Sequence, residues 1–255
     1  MAERFERIQA SPAYQLVADA IEREILSGRI QPGERIGTEA ALVEQFGVNR
    51  STVREGIRLL EQSGLIRRDS SRRLYASLPR YAKLASRISR ALLLHEVTFR
   101  ELYETTMALE VASVRLAAER ITPPQLQAIA DNLARTEAAL DDPRILSELD
   151  TEFHALIAEA AGNRVLQLAR EPTSLLIYPT TQVIFEGSPR GPSRLLEAHS
   201  RLHAALAARD RQAAGVWMER HVVDWRKGFE RAGKDLDTPV ERVYMDHVMV
   251  GGSRL

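Results

Sequence analysis

Residues 47–64, Gly-Val-Asn-Arg-Ser-Thr-Val-Arg-Glu-Gly-Ile-Arg-Leu-Leu-Glu-Gln-Ser-Gly, constrain this chain more than any other stretch. Arg50, Arg54 and Arg58 recur at steps of four, while Val53, Ile57 and Leu60 take the i, i+4, i+7 spacing of an apolar helix face. Asn49 is a good N-cap and Gly64 a good C-terminal stop. The stretch is therefore expected to be a short helix with an apolar back and a guanidinium front. Such a front suits phosphate oxygens and base edges in a DNA major groove. It equally suits a solvated surface, and the neighbouring segments decide between the two.

Upstream, Leu16, Ala20, Ile21, Ile25 and Leu26 predict a helix with one apolar stripe, stopped by Gly28. Gln31-Pro32-Gly33-Glu34 is a turn, and a second short helix opens at Thr38-Glu39 and runs to about Phe46. Gly47-Val48-Asn49 separate it from the arginine helix. Helix, short glycine-containing turn, helix is the helix-turn-helix order. Downstream, Leu65–Arg68 and Arg73–Ser77 are expected to pair as a small β-wing around Asp69-Ser70-Ser71-Arg72.

Residues 14–77 resemble the DNA-binding domain of the GntR family of bacterial transcription regulators. The resemblance lies in residues 25–36 (Ile-Leu-Ser-Gly-Arg-Ile-Gln-Pro-Gly-Glu-Arg-Ile), Thr38-Glu39, residues 48–57 (Val-Asn-Arg-Ser-Thr-Val-Arg-Glu-Gly-Ile), Leu59-Leu60 and Gly64-Leu65-Ile66. It implies that Arg50, Ser51, Thr52 and Arg54 touch operator DNA; Arg58 on the same helix face, Arg35, and Arg72 and Arg73 at the wing are further candidate contacts by their charge. Ala40 departs from the family, whose members often carry a basic or long polar residue there. The wing tip, Ser70-Ser71-Arg72-Arg73, lacks the usual glycine, and the charge of Arg72 and Arg73 stands in its place.

Charge placement agrees. The 255 residues carry 35 Lys and Arg against 35 Asp and Glu, a net charge of zero that excludes a bulk polyanion binder. Residues 50–90 nevertheless hold eleven Lys and Arg against three acids, the local basic excess expected of a DNA-binding module. The chain has no cysteine, no signal-peptide pattern and no apolar run long enough to span a bilayer, so a soluble protein of the bacterial cytoplasm is expected.

From Tyr81 onward the pattern is all helix. Segments near 98–120, 123–141, 145–161, 163–186, 193–208 and 210–231 lie between breakers at Thr122-Pro123-Pro124, Asp142-Pro143, Gly162-Asn163, Gly187-Ser188-Pro189 and Asp210. The expected fold is mainly α: an N-terminal winged helix-turn-helix and a C-terminal antiparallel helical bundle. Asp150 and His154, four apart, share one helix face; His199 and His221 lie on later helices. One carboxylate and three imidazoles suit a divalent metal. Scattered histidines also occur as hydrogen-bonded core residues, and spacing alone leaves that alternative open.

A second resemblance bears on this choice. Asp150-Thr151-Glu152-Phe153-His154 with Ala160-Ala161-Gly162-Asn163, Glu197-Ala198-His199-Ser200-Arg201-Leu202, and Ala214, Met218 and His221 resemble the FCD domain, the ligand-binding domain of the FadR-like branch of the family. The segment Leu109-Glu110 through Ile121-Thr122 resembles that domain's first long helix. The resemblance implies that Asp150, His154, His199 and His221 hold a divalent metal, zinc first, with nickel, manganese or iron compatible. It also implies that the metal docks a small organic acid. His203, four residues after His199, is the competing ligand or a pocket residue. Thr106 stands where many relatives carry an effector-facing arginine, which implies a less acidic effector or an anionic group met elsewhere; Arg164, Tyr178, Thr180, Thr181 and Gln182 are candidates.

The expected layout is a DNA-binding domain over 1–80, a helix-compatible linker over 81–95, a helical effector-binding and dimerisation domain over 96–232, and a tail over 233–255. The expected function is that of a non-enzymatic, ligand-responsive transcription regulator, a repressor, working as a homodimer on a palindromic operator of double-stranded DNA. A purely structural metal, or a metalloenzyme with an Asp/His centre, are the alternatives.

Overall fold

The computed structural model describes residues 11–79 and 81–240. The chain divides after Arg80 into two compact units. In the first, α1 (Ala13–Leu26), α2 (Glu39–Phe46) and α3 (Arg50–Ser63) pack with a sheet of β1 (Arg35–Gly37), β2 (Ile66–Arg68) and β3 (Leu74–Ala76). The sheet order is β1-β3-β2, with both pairings antiparallel and Arg67 opposite Tyr75. This is a winged helix-turn-helix. Strand β1 was not expected; three residues are too short to display an alternating pattern.

Local chemistry sets these elements. Thr38 caps α2 by accepting from the Ala41 amide, and Asn49 caps α3 by accepting from the Thr52 amide at 2.8 Å. Gly47 and Gly64 end the two helices in the left-handed conformation that glycine adopts without steric cost. Val53, Ile57 and Leu60 face the core, as their spacing predicts. The stripe of α1 differs from expectation: Val17, Ala18, Ile21 and Ile25 are buried, whereas Leu16 and Leu26 are exposed. Once the stripe starts at Val17, the helical repeat leaves Leu16 on the outer side.

The second unit is helical: α4 (Tyr81–Leu94), α5 (Phe99–Arg120), α6 (Pro123–Ala138), α7 (Pro143–Ala160), α8 (Arg164–Gly187), α9 (Gly191–Ala207) and α10 (Arg211–Arg231). The breakers act as caps. Thr98 and Glu101 form a capping box, Thr122 and Gln125 another, and Asp142, Asn163 and Asp210 cap α7, α8 and α10. Short connections let α6 pack on α7, α7 on α8 and α9 on α10, while α5 fills the space against α10, α7 and α8. One core gathers Val114, Phe153, Ile157, Leu202, Leu206 and Met218; another gathers Leu93, Phe99, Leu176, Ile184 and Phe229.

Residues 81–94, expected as a linker, form a helix that packs on α8, where Ser89 donates to the Pro172 carbonyl at 2.9 Å. They group with the second unit because Ala85, Ser89 and Leu93 are buried in it. The start of the expected tail is ordered too. Leu236 and Val240 are buried, Val240 donates to the Val97 carbonyl at 2.8 Å, and Arg100 pairs with Asp237. Residues 241–255, including His247, lie outside the described residues. Among the described residues, no helix is long and apolar enough to cross a membrane.

Candidate functional site

Asp150 and His154 project from α7, His199 from α9 and His221 from α10, and one ligand atom from each lies within 4.8 Å of all the others. The Nε2 atoms of His154 and His221 are 3.0 Å apart. Asp150 Oδ1 lies 3.2 Å from His199 Nε2, 3.6 Å from His221 Nε2 and 3.8 Å from His154 Nε2. These separations bracket the ~3.3 Å between ligand atoms that bond lengths of about 2.0–2.1 Å impose around a tetrahedral ion.

The donor set fits a cation on independent grounds. Asp150 Oδ1 and both ring nitrogens of His199 are buried without a hydrogen-bond partner among the described residues. Buried polar atoms are normally paired, and each left unpaired costs about 1–3 kcal/mol. Burial pushes the His199 pKa down to about 3 against the pull of Asp150, so the imidazole is neutral and keeps a lone pair for coordination. Burial alone would raise Asp150, but the surrounding imidazoles outweigh it and hold the carboxyl well below its ordinary range. Phe153 stacks on His199 with ring centroids 3.6 Å apart and fixes its plane. Glu110 accepts from His154 Nδ1 at 2.9 Å, which leaves Nε2 facing the cluster.

A cavity of about 110 Å³ opens beside the cluster, with Asp150, His154 and His221 in its wall. Of the residues marked from sequence, Thr106, Tyr178 and Thr181 line it. Thr106 Oγ1 is buried with no partner among the described residues. Arg164 is exposed in the first turn of α8, Gln182 donates to Glu186, and His203 is half-buried outside the four-residue cluster. Thr180 accepts from the Trp225 indole at 3.2 Å and so holds a ring that lines the cavity. His95 is exposed beyond the end of α4.

Glu110 and Arg170 are among the cavity residues that were not marked from sequence. Arg170 has a side chain only 5% exposed, and its Nε donates to Glu110 Oε1 at 3.0 Å. Burial would raise the Glu110 pKa, but His154 and Arg170 bring it down to about 2. The available signal was helical phase: the buried series Thr173, Leu176, Thr180 and Ile184 on α8 extends backwards by one turn to Arg170. The cavity thus has a guanidinium supplied by α8, where α5 offers Thr106.

In the first unit, Arg50, Arg54 and Arg58 project from α3 with side chains 68%, 59% and 66% exposed. Ser51 and Thr52 form the first turn, where the Ser51 hydroxyl donates to Asn49 Oδ1 at 2.7 Å. Arg35 is exposed on β1, and Arg72 and Arg73 are exposed at the wing tip. Arg72 takes φ +60°, the conformation a glycine would adopt there at least cost. Glu39, in the first turn of α2, accepts from Arg54 and from Arg68, and these contacts outweigh burial to lower its pKa.

A winged helix-turn-helix followed by a helical domain that encloses a histidine–carboxylate cluster defines a two-domain transcription regulator. The family model for bacterial regulatory proteins of the gntR family matches residues 13–75, and that of the FCD domain matches residues 101–224. The chain belongs to the GntR family and carries a C-terminal FCD domain. It is 29% identical to the HTH-type transcriptional regulator LutR of Bacillus subtilis, over 78% of this chain and 93% of that protein. It is 27% identical to the HTH-type transcriptional repressor NanR of Salmonella newport, over 73% of this chain and 70% of that protein. The solved structure of Streptococcus agalactiae GntR superposes with a TM-score of 0.60 at 26% identity, covering 84% of this chain and 99% of that one. These domains and relatives are those of transcription regulators, not of enzymes.

Proposed function

We propose that the chain is a repressor that binds a palindromic operator as a homodimer in the bacterial cytoplasm and is controlled by a small organic acid bound beside a divalent metal. The observation that carries this reading is the cluster itself: Asp150, His154, His199 and His221 converge beside a cavity that has Asp150, His154 and His221 in its wall. Asp150, His154, His199 and His221 would hold the ion, which supplies a fixed positive charge in a medium of low dielectric where a carboxylate is strongly attracted. Zinc suits the N/O donor set best, and nickel, manganese or iron are compatible with it.

This chain's own groups define the acid. A cavity of about 110 Å³ that is open on one side takes a small acid, with its carboxylate end towards the cluster. Thr106 Oγ1, without a partner among the described residues, offers a hydrogen bond to a ligand hydroxyl, and Tyr178 and Thr181 extend that polar wall. The residues proposed to meet DNA are Arg50, Ser51, Thr52, Arg54 and Arg58 on α3, with Arg35, Arg72 and Arg73 flanking them. One recognition helix reads one half-site; a dimer presents two about one DNA turn apart. An acid favouring one arrangement of the helical domain shifts the dimer away from its operator-binding state by linkage. The relative named as a repressor supports the sign.

Elemental analysis of gently purified protein, followed by a thermal-shift screen of small hydroxy acids with and without chelator, tests the reading. About one metal per chain and a chelator-sensitive shift are expected, with the same acid weakening binding to duplexes that the protein selects from a randomised DNA pool. Metal without any acid-induced shift would make the centre structural and sink the effector half of the proposal.

A further inference from the structure

We propose that Glu39 is a positioning residue that makes Arg54 the base-reading arginine of the recognition helix and leaves Arg50 and Arg58 to the phosphates. The inference rests on the operator-binding reading above. It starts from an anomaly: an anionic side chain sits behind a surface meant to meet a polyanion. Glu39 is only 12% exposed, yet three arginines converge on it. Its Oε2 accepts from Arg54 Nε at 2.9 Å, and its Oε1 accepts from Arg68 Nη1 at 2.8 Å. Arg68, on β2, also donates through Nε to Glu61 of α3 at 3.1 Å. The carboxylate is therefore fixed from two sides, and it stands in the first turn of α2, where the helix dipole favours negative charge.

The atom that Glu39 occupies matters most. Arginine is a planar fork with five donors. Taking Nε from behind leaves the two Nη groups at the free end of the fork, and the Arg54 side chain remains 59% exposed. Two parallel Nη–H donors match O6 and N7 of a guanine in the major groove, the commonest specific arginine contact. A tethered fork can make that contact without searching for its orientation. Arg50 Nε is 3.7 Å from Glu39 and Arg58 Nε is 3.9 Å from Glu55, both beyond hydrogen-bond reach. These looser guanidinium groups suit phosphate oxygens, which fix register without reading sequence.

The test uses the full chain and a pool of randomised DNA duplexes, from which wild-type protein, Glu39→Gln and Arg54→Lys each select sites. Affinity for an unselected duplex and thermal stability are measured alongside. The wild type is expected to select paired half-sites with a guanine that both variants discriminate about tenfold less well. Affinity for random duplex should hold or rise in Glu39→Gln, because a negative charge has gone. Adding Glu39→Gln to Arg54→Lys should cost no further selectivity, since the two act as one unit. Unchanged base preference in folded Glu39→Gln overturns the proposal. So does loss of selective and random binding by the same factor together with a lower Tm, which marks a structural tie. If Glu39→Gln does not fold, Arg54→Lys decides: full guanine preference in that variant also overturns it. A wild-type chain that selects no sequence removes the operator-binding reading itself.

Discussion

At Gly56 there is no room for a methyl group. A Cβ there would lie 2.8 Å from the Tyr14 carbonyl oxygen and 3.1 Å from Val17 Cγ1, so α1 crosses α3 at a distance that only glycine permits. Alanine would gain about 0.5–1 kcal/mol of helix propensity and lose about 1–3 kcal/mol to overpacking. Gly56→Ala is therefore expected to lower stability by roughly 1–2 kcal/mol in urea unfolding; an unchanged midpoint would mean that α1 slides freely. The two neighbouring histidines of α9 make a second test. His199 is fully buried 3.2 Å from Asp150, whereas His203 is half-buried outside the cluster. His199→Ala should lose the metal in elemental analysis and His203→Ala should retain it; the reverse pattern would move the site. The four clustered residues were legible because each sits in a local motif. Glu110, Arg170 and Glu39 were not, since the Arg170 contact with Glu110 spans 60 residues and those of Glu39 span 15 and 29, which no periodicity records.

Among the elements, legibility followed punctuation. Helices bounded by strong caps and breakers, such as Asp142-Pro143 and Asn163, begin within two residues of their expected starts. Elements that depend on a distant partner were read less well. Strand β1 exists because β3 offers it a ladder, and α4 is anchored by α8 through Ser89. Residues 233–240 carry no helical pattern, but Leu236 and Val240 close the apolar cluster around Phe99 and Phe229. The wing is the element where conformation and charge conflict. Arg72 holds φ +60°, with its amide donating to the Asp69 carbonyl at 3.0 Å and the Arg73 amide to Asp69 Oδ1 at 2.8 Å. A left-handed conformation costs a non-glycine residue about 1–2 kcal/mol. Arg72→Gly should therefore raise the stability of this unit by up to about 1 kcal/mol, after its greater unfolded-state freedom is counted. The same change should weaken DNA binding, with the slope of log affinity against log salt shallower by about 0.9. A more stable variant with an unchanged salt slope would remove Arg72 from the interface.

For the whole molecule, the histidine cluster ties stability to pH in a way that reveals whether metal is bound. Without metal, burial holds His199 down to about 3, far below the ordinary 6.5. Below pH 6.5 the unfolded chain therefore takes a proton that the folded chain refuses, and stability falls with pH by up to about 1.4 kcal/mol per unit. His154 acts in the opposite direction. Burial opposes its protonation, but Glu110 outweighs burial and raises its pKa, so its contribution is complete below 6.5 and is lost as pH rises through the folded value. The two effects occupy separate windows on either side of 6.5, and metal-free protein is expected to be most stable near that pH. Glu110, lowered to about 2, adds a loss only below its ordinary 4.5, outside this range. Coordination changes the profile because protons compete with metal for the same nitrogens, so affinity and the stability it adds grow as pH rises. Thermal unfolding between pH 5.5 and 8 should thus rise steadily for metal-loaded protein and pass through a maximum after chelation. Identical profiles in the two states would show that the imidazoles are not the ligands.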